Sequence, residues 1–159
     1  MKQTKILLLV IALIIAAGCA KKVPPSCTPA GLQYITNQVV LAGGQFVELG
    51  NQIYVSIPTN YVFDLNSANT NHQGRYLLEK IGQRLTCYTT QNVQVKVYTS
   101  TLPTTVENKA LAAQRAKVVT NVLLNYGVSR LIYQDNVLSG NNCINCRLNR
   151  IEIVTKQLT

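Results

Sequence analysis

The chain has 159 residues, 47% of them apolar, and fifteen Lys and Arg against six Asp and Glu, a formal charge of +9. That length suits one domain with a leader and a linker, and the apolar share is enough to fill one core. The basic residues are scattered rather than gathered into a dense run, which argues against a nucleic-acid partner, and the single histidine, His72, leaves no Ser-His-Asp set worth building.

Met1–Cys19 reads MKQTKILLLVIALIIAAGC. Lys2 and Lys5 form a basic n-region, and the apolar stretch Ile6–Ala17 is short for a membrane span. It ends in Ala16-Ala17-Gly18-Cys19, which resembles a bacterial lipobox. That resemblance implies a signal peptide over 1–18 and lipidation of Cys19 as the first mature residue. Several acyl chains would anchor it stably, since one is marginal at about 0.8 kcal/mol per buried CH₂. Lipoproteins kept in the inner membrane often carry Asp after the cysteine; Ala20 here favours the outer membrane, with the mature chain facing the periplasm. Export also weighs against nucleic acid. It leaves peptidoglycan carboxylates, lipid headgroups and envelope proteins as partners for a basic chain, and Lys21-Lys22 is placed to lean on headgroups.

Ala20–Gly31, with Pro24, Pro25 and Pro29, reads as an extended tether. Leu32–Leu49 is more apolar and is divided by Gly43-Gly44; a hairpin, an edge strand and a docking segment all remain open. Residues 19–51 are therefore taken as lipidated tether and 52–159 as the domain. Gln52–Ile57 alternates Ile53, Val55 and Ile57 with polar residues, which predicts a strand closed by Pro58. Leu77, Leu78, Ile81 and Leu85 predict a helix over Gln73–Thr86, with His72 as a loop residue before it. Val93, Val95 and Val97 predict a core strand, Thr99–Thr105 a loop, and Glu107–Asn125 a second helix stopped near Gly127. Leu131–Tyr133 is a short strand candidate, Ser139–Cys146 a turn-rich loop, and Leu148–Val154 a closing strand. This order predicts an α/β two-layer sandwich, a mixed four-stranded sheet with two main helices on one face.

On the second helix Leu111, Arg115, Val118 and Val122 share one face. An arginine on an apolar face needs a carboxylate, from the protein or from a ligand; the plainer reading is a stem packed on the core with its head in water. The spacing N-x-x-L-x-x-x-R-A at Asn108–Ala116 resembles the signature helix of OmpA-like domains. Val62-Phe63-Asp64-Leu65-Asn66-Ser67-Ala68 is similar to their opening F-D-x-N/D-S-A segment, and Asn149-Arg150-Ile151-Glu152-Ile153 to their closing R-R-V-E-I strand, with Asn149 at the first arginine. The resemblance covers about Gln52–Thr155. It implies a non-enzymatic peptidoglycan-binding fold without cofactor or metal, in which Arg115 holds a carboxylate of diaminopimelate and Asn108, Leu111, Thr99 and Ser100 belong to the site. In the family an aspartate that binds the diaminopimelate ammonium stands where Ser100 stands here; Thr99 matches its threonine, and Val97 replaces a glycine. The lost acid implies weakened binding that Ser100→Asp would restore. Ile57–Phe63, I-P-T-N-Y-V-F, with the short lipidated tether, is further similar to OmpA-like lipoproteins of Dot/Icm type IVB secretion systems.

Cys27, Cys87, Cys143 and Cys146 remain after Cys19, and an oxidising compartment allows three full pairings. Cys143 is expected to be oxidised, with Cys146 the nearest partner and Cys87 the competitor. A redox Cys143-x-x-Cys146 would need a helix N-terminus to lower its thiol pKa, whereas the flanking residues suggest a loop. Three functions follow in order: a structural outer-membrane lipoprotein of an envelope or secretion complex with weakened peptidoglycan binding, an ordinary peptidoglycan anchor, and, remotely, a periplasmic thiol oxidoreductase.

Overall fold

The computed structural model describes residues 24–88, 90–128, 131–134 and 149–157. The expected leader and Cys19, and the loop with Cys143 and Cys146, lie outside the described residues. A 3₁₀ turn, Pro25–Cys27, leads into helix α1 (Pro29–Leu41) and strands β1 (Gln45–Leu49) and β2 (Gln52–Pro58). The one-turn helix α2 (Thr59–Val62), helix α3 (His72–Leu85), strand β3 (Thr90–Tyr98), helix α4 (Thr105–Asn125) and strands β4 (Leu131–Gln134) and β5 (Arg150–Gln157) follow.

The strands form one sheet in the order β1-β2-β5-β3-β4. Every pairing is antiparallel except β3 with β4, which are parallel and joined across α4. The chain's closing strand is therefore the middle of the sheet. Alternation places Ile53, Val55, Ile57, Val93, Val95, Val97, Ile151 and Ile153 on one buried face. Leu77, Leu78, Ile81 and Leu85 of α3, and Ala116, Val119 and Leu123 of α4, close over it in a single core. Each fully buried aliphatic side chain contributes about 1.5–3 kcal/mol of transfer free energy. The opposite face is polar: Tyr54 Oη and Tyr98 Oη donate to Glu152 at 3.0 and 3.2 Å, and Arg150 Nε donates to it at 2.6 Å.

The α/β sandwich is the one expected, and it carries more than the four strands and two helices read from the sequence. Gln45–Leu49 adds an edge strand, joined to β2 by a two-residue hairpin in which Gly50 adopts φ 59°. Pro29–Leu41 is a helix instead of tether and strand. Thr28 caps it by accepting from the Gly31 amide at 3.1 Å, and Pro29 takes the first turn, where no donor is needed. Ile35, Val39, Ala42 and Phe46 join the common core, so the folded unit begins well before the boundary placed at Gln52. Short apolar runs do not declare their period, and only packing against α3 and β2 decides this one.

The N-terminal turn is fastened to the end of α3 by a disulfide between Cys27 and Cys87, sixty residues apart. Cys87 is thus bonded to Cys27, which corrects its reading as a competitor for Cys143. Buried Arg84 reinforces the same junction, donating to Ser26 O at 3.0 Å and lying 3.7 Å from Glu48. At its other end α3 starts on Asn71, whose Oδ1 accepts from Gly74 N at 2.7 Å, with His72 as its first helical residue and not in a loop. Gly74 lies against α2: a Cβ there would stand 2.3 Å from Val62 Cα. That contact sets the segment after Val62 against the start of α3. Among the described residues no helix is long and apolar enough to cross a membrane.

Candidate functional site: a buried arginine in an open pocket

Arg115 is 3% exposed, although no carboxylate among the described residues lies within ion-pair distance of it. Its guanidinium is held by oxygens that carry no formal charge. Nε donates to Ser67 O at 2.8 Å, Nη1 to Thr99 Oγ1 at 3.2 Å, and Nη2 more weakly to Asp64 O at 3.4 Å. The Phe63 ring lies beneath it, 5.0 Å from Cζ to the centroid. Burial pulls the guanidinium pKa below its ordinary value, with no acid to oppose the shift. A guanidinium has five N–H groups. Three are used here, which leaves one on each terminal nitrogen: the fork that grips a carboxylate in a bidentate pair.

Arg115 lines a cavity of about 440 Å³ together with Thr59, Asp64, Asn66, Thr101 and Asn149. Asn66 (φ 52°) and Asn149 (φ 63°) are the two described non-glycine residues with left-handed backbone, and both line it. Asparagine tolerates that conformation better than most residues, and such strain collects where a ligand site dictates the backbone. A larger cavity, about 640 Å³, lies beside Tyr34 and Lys80 between α1 and α3. It lacks a buried charged group, so the arginine pocket is the candidate site.

The residues singled out from the sequence fall into two sets. Thr99 and Arg115 touch, and Ser100 reaches the pocket through Asn149 Oδ1, which accepts from Ser100 N at 2.9 Å. Of these candidates Arg115 alone is on the lining; Thr99 and Ser100 bond to lining residues, and Asn108 and Leu111 do neither. Asn108 is buried and shapes the loop before α4: its Nδ2 donates to Leu102 O and Thr104 O, both at 2.8 Å, and its Oδ1 accepts from Leu102 N at 3.0 Å. Leu111 packs one turn before Arg115. Glu107, the acid nearest the loop in sequence, is engaged as the N3 residue of a capping box with Thr104. The T-x-x-E spacing signals that role in the sequence. Asp64 and Asn149 are among the lining residues that sequence reasoning leaves out of the site. Nothing local marks Asp64 as a neighbour of Arg115; for Asn149 the signal is its place where an arginine is usual.

The described residues thus form a two-layer α/β sandwich with a buried arginine on the lining of an open pocket. Residues 62–138 match the OmpA family, and the described fold is that of an OmpA-like domain. Among solved structures, the periplasmic domain of Helicobacter pylori MotB is 22% identical, with a TM-score of 0.57 over 74% of this chain and 81% of that one. The cell wall anchor of the T6SS from Pseudomonas aeruginosa is 17% identical, with a TM-score of 0.63 over 79% and 96%. The OmpA-like domain of FopA1 from Francisella tularensis is 20% identical, with a TM-score of 0.54 over 73% and 81%. No curated protein sequence matches the chain.

Proposed function

We propose that this chain is a non-enzymatic lipoprotein of the outer membrane, anchored through Cys19 and facing the periplasm. In this reading it is a structural part of an envelope complex of the type IVB secretion kind, and its pocket holds a peptidoglycan stem peptide weakly. The observation that carries the binding reading is Arg115: a buried cation without a carboxylate, with one N–H left on each terminal nitrogen at an open cavity. A carboxylate ligand would supply the counter-charge that burial demands. The likeness to a cell wall anchor and to the periplasmic domain of MotB fits that role. The lipobox-like Ala16–Cys19 stretch supports the anchoring.

Sacculus pulldown together with titration of a diaminopimelate stem peptide tests this. Weak binding by the parent and none by Arg115→Ala is the expected result; equal retention of both proteins on sacculi would refute the pocket. The second reading, an ordinary peptidoglycan anchor, is favoured by one observation: Asp64 lines the pocket and could serve a ligand ammonium in place of the acid missing at Ser100. Tight binding by the parent that Asp64→Asn weakens at least ten-fold would select it.

A further inference from the structure

Ser100 and Asn149 are the two positions where charged residues of the resembled pattern are replaced by neutral ones; Asn149 lines the pocket, and Ser100, off the lining, bonds to it. They are forty-nine residues apart in sequence and touch in the fold. Ser100 N donates to Asn149 Oδ1 at 2.9 Å, and Ser100 Oγ lies 3.5 Å from the same oxygen. Asn149 O accepts from Thr59 N at 2.9 Å, so main chain and side chain are both fixed. A backbone N–H can only donate, which settles the orientation of the Asn149 amide: its oxygen is engaged, and its Nδ2 has no partner among the described residues. Asn149 lines the cavity together with Arg115.

We propose that the Ser100–Asn149 pair is the neutral half of this pocket. It selects a ligand that offers a carboxylate to Arg115 and a neutral carbonyl, not an ammonium, to Asn149 Nδ2. The inference rests on the stem-peptide reading of the site and names the substrate class: a diaminopimelate whose side-chain amine is acylated, as in a cross-linked peptide. An acyl carbonyl accepts the Nδ2 proton. An ammonium brings only donors and cannot accept from Asn149 Nδ2, so a ligand amine leaves that donor unmatched. Asp64, the one acid on the lining among the described residues, is exposed, and water screens its attraction for an ammonium.

The full mature chain is titrated with L-Ala–γ-D-Glu–diaminopimelate, the diaminopimelate side-chain amine free or acetylated. The parent is expected to bind the acetylated peptide roughly five-fold tighter, the worth of one neutral hydrogen bond. Asn149→Asp keeps the acceptor for Ser100 N and a residue that tolerates left-handed backbone, but replaces the donor with a carboxylate. Its preference should invert toward the free amine, which a purely structural role for Asn149 would not produce. A parent that binds the free amine as tightly or more tightly overturns the proposal without any variant. So does an unchanged ratio in folded Asn149→Asp. In both cases loss of binding in Arg115→Ala leaves the pocket reading standing. Failure of the parent to bind either peptide removes that reading and this inference with it.

Discussion

In the proposed function Arg115 carries the ligand contact, and its neighbours decide what a substitution does. Arg115→Lys retains the charge but replaces a planar fork with a point charge, and it loses the three-oxygen cradle of Ser67 O, Thr99 Oγ1 and Asp64 O. Stem-peptide affinity should fall about ten-fold or more, measured by calorimetry. The resemblance implies that Ser100→Asp restores binding, but with Asn149 Oδ1 against Ser100 the single change should restore little, because the new carboxylate would face that oxygen; Ser100→Asp with Asn149→Arg should gain more than the two single changes together. A second residue reports on pH. Burial, and then the hydrogen bond to Glu48, push the Tyr88 phenol up to about 12. The protonated form is therefore favoured in the folded state. Its stabilisation is fully present below the unfolded value of about 10 and is lost as pH rises through the folded one. Tyr54 and Tyr98 are shifted the same way, first by burial and then by Glu152. Melting temperature should fall between pH 10 and 12, and Tyr88→Phe should flatten part of that fall.

At the scale of elements, the N-terminal turn and α1 belong to the domain because three fastenings hold them: the disulfide, Arg84, and the Ile35 and Val39 contacts with the core. Closing a loop of sixty residues stabilises by roughly 4 kcal/mol as an upper figure. Cys27→Ser should lower the melting temperature by on the order of 10 °C, reductant should do the same to the parent, and reductant should add nothing to the variant. The contact between α2 and the start of α3 tolerates no added carbon. Gly74→Ala places a Cβ against backbone, which does not yield as a side-chain tip would, and overpacking of that kind costs about 1–3 kcal/mol. Because Phe63 and Asp64 follow α2 directly, stem-peptide binding should weaken along with stability. A melting curve that matches the parent's would mean the two helices separate easily.

At the scale of the whole molecule, the proposed function joins a membrane anchor at Cys19 to a wall-binding pocket around Arg115. Cys19→Ser should leave the domain folded and move it out of the outer-membrane fraction; fractionation identical to the parent's would remove the lipoprotein role. Non-reducing peptide mapping should find Cys27 joined to Cys87, and Cys143 oxidised with Cys146 as its remaining partner.

Strand and helix positions within 52–157 were legible because their alternation and 3.6-residue spacing are local properties, and each amphipathic face can close only against another. Arg115 was legible as an arginine on an apolar face. Its cradle was not, since Ser67 and Asp64 contribute backbone oxygens, which every residue possesses. The assignment of 29–49 to helix and edge strand, the pairing of Cys27 with Cys87, and the meeting of Ser100 with Asn149 were decided by tertiary structure alone. Each depends on segments distant in the chain arriving at one place, and that distance leaves no mark on the residues between them.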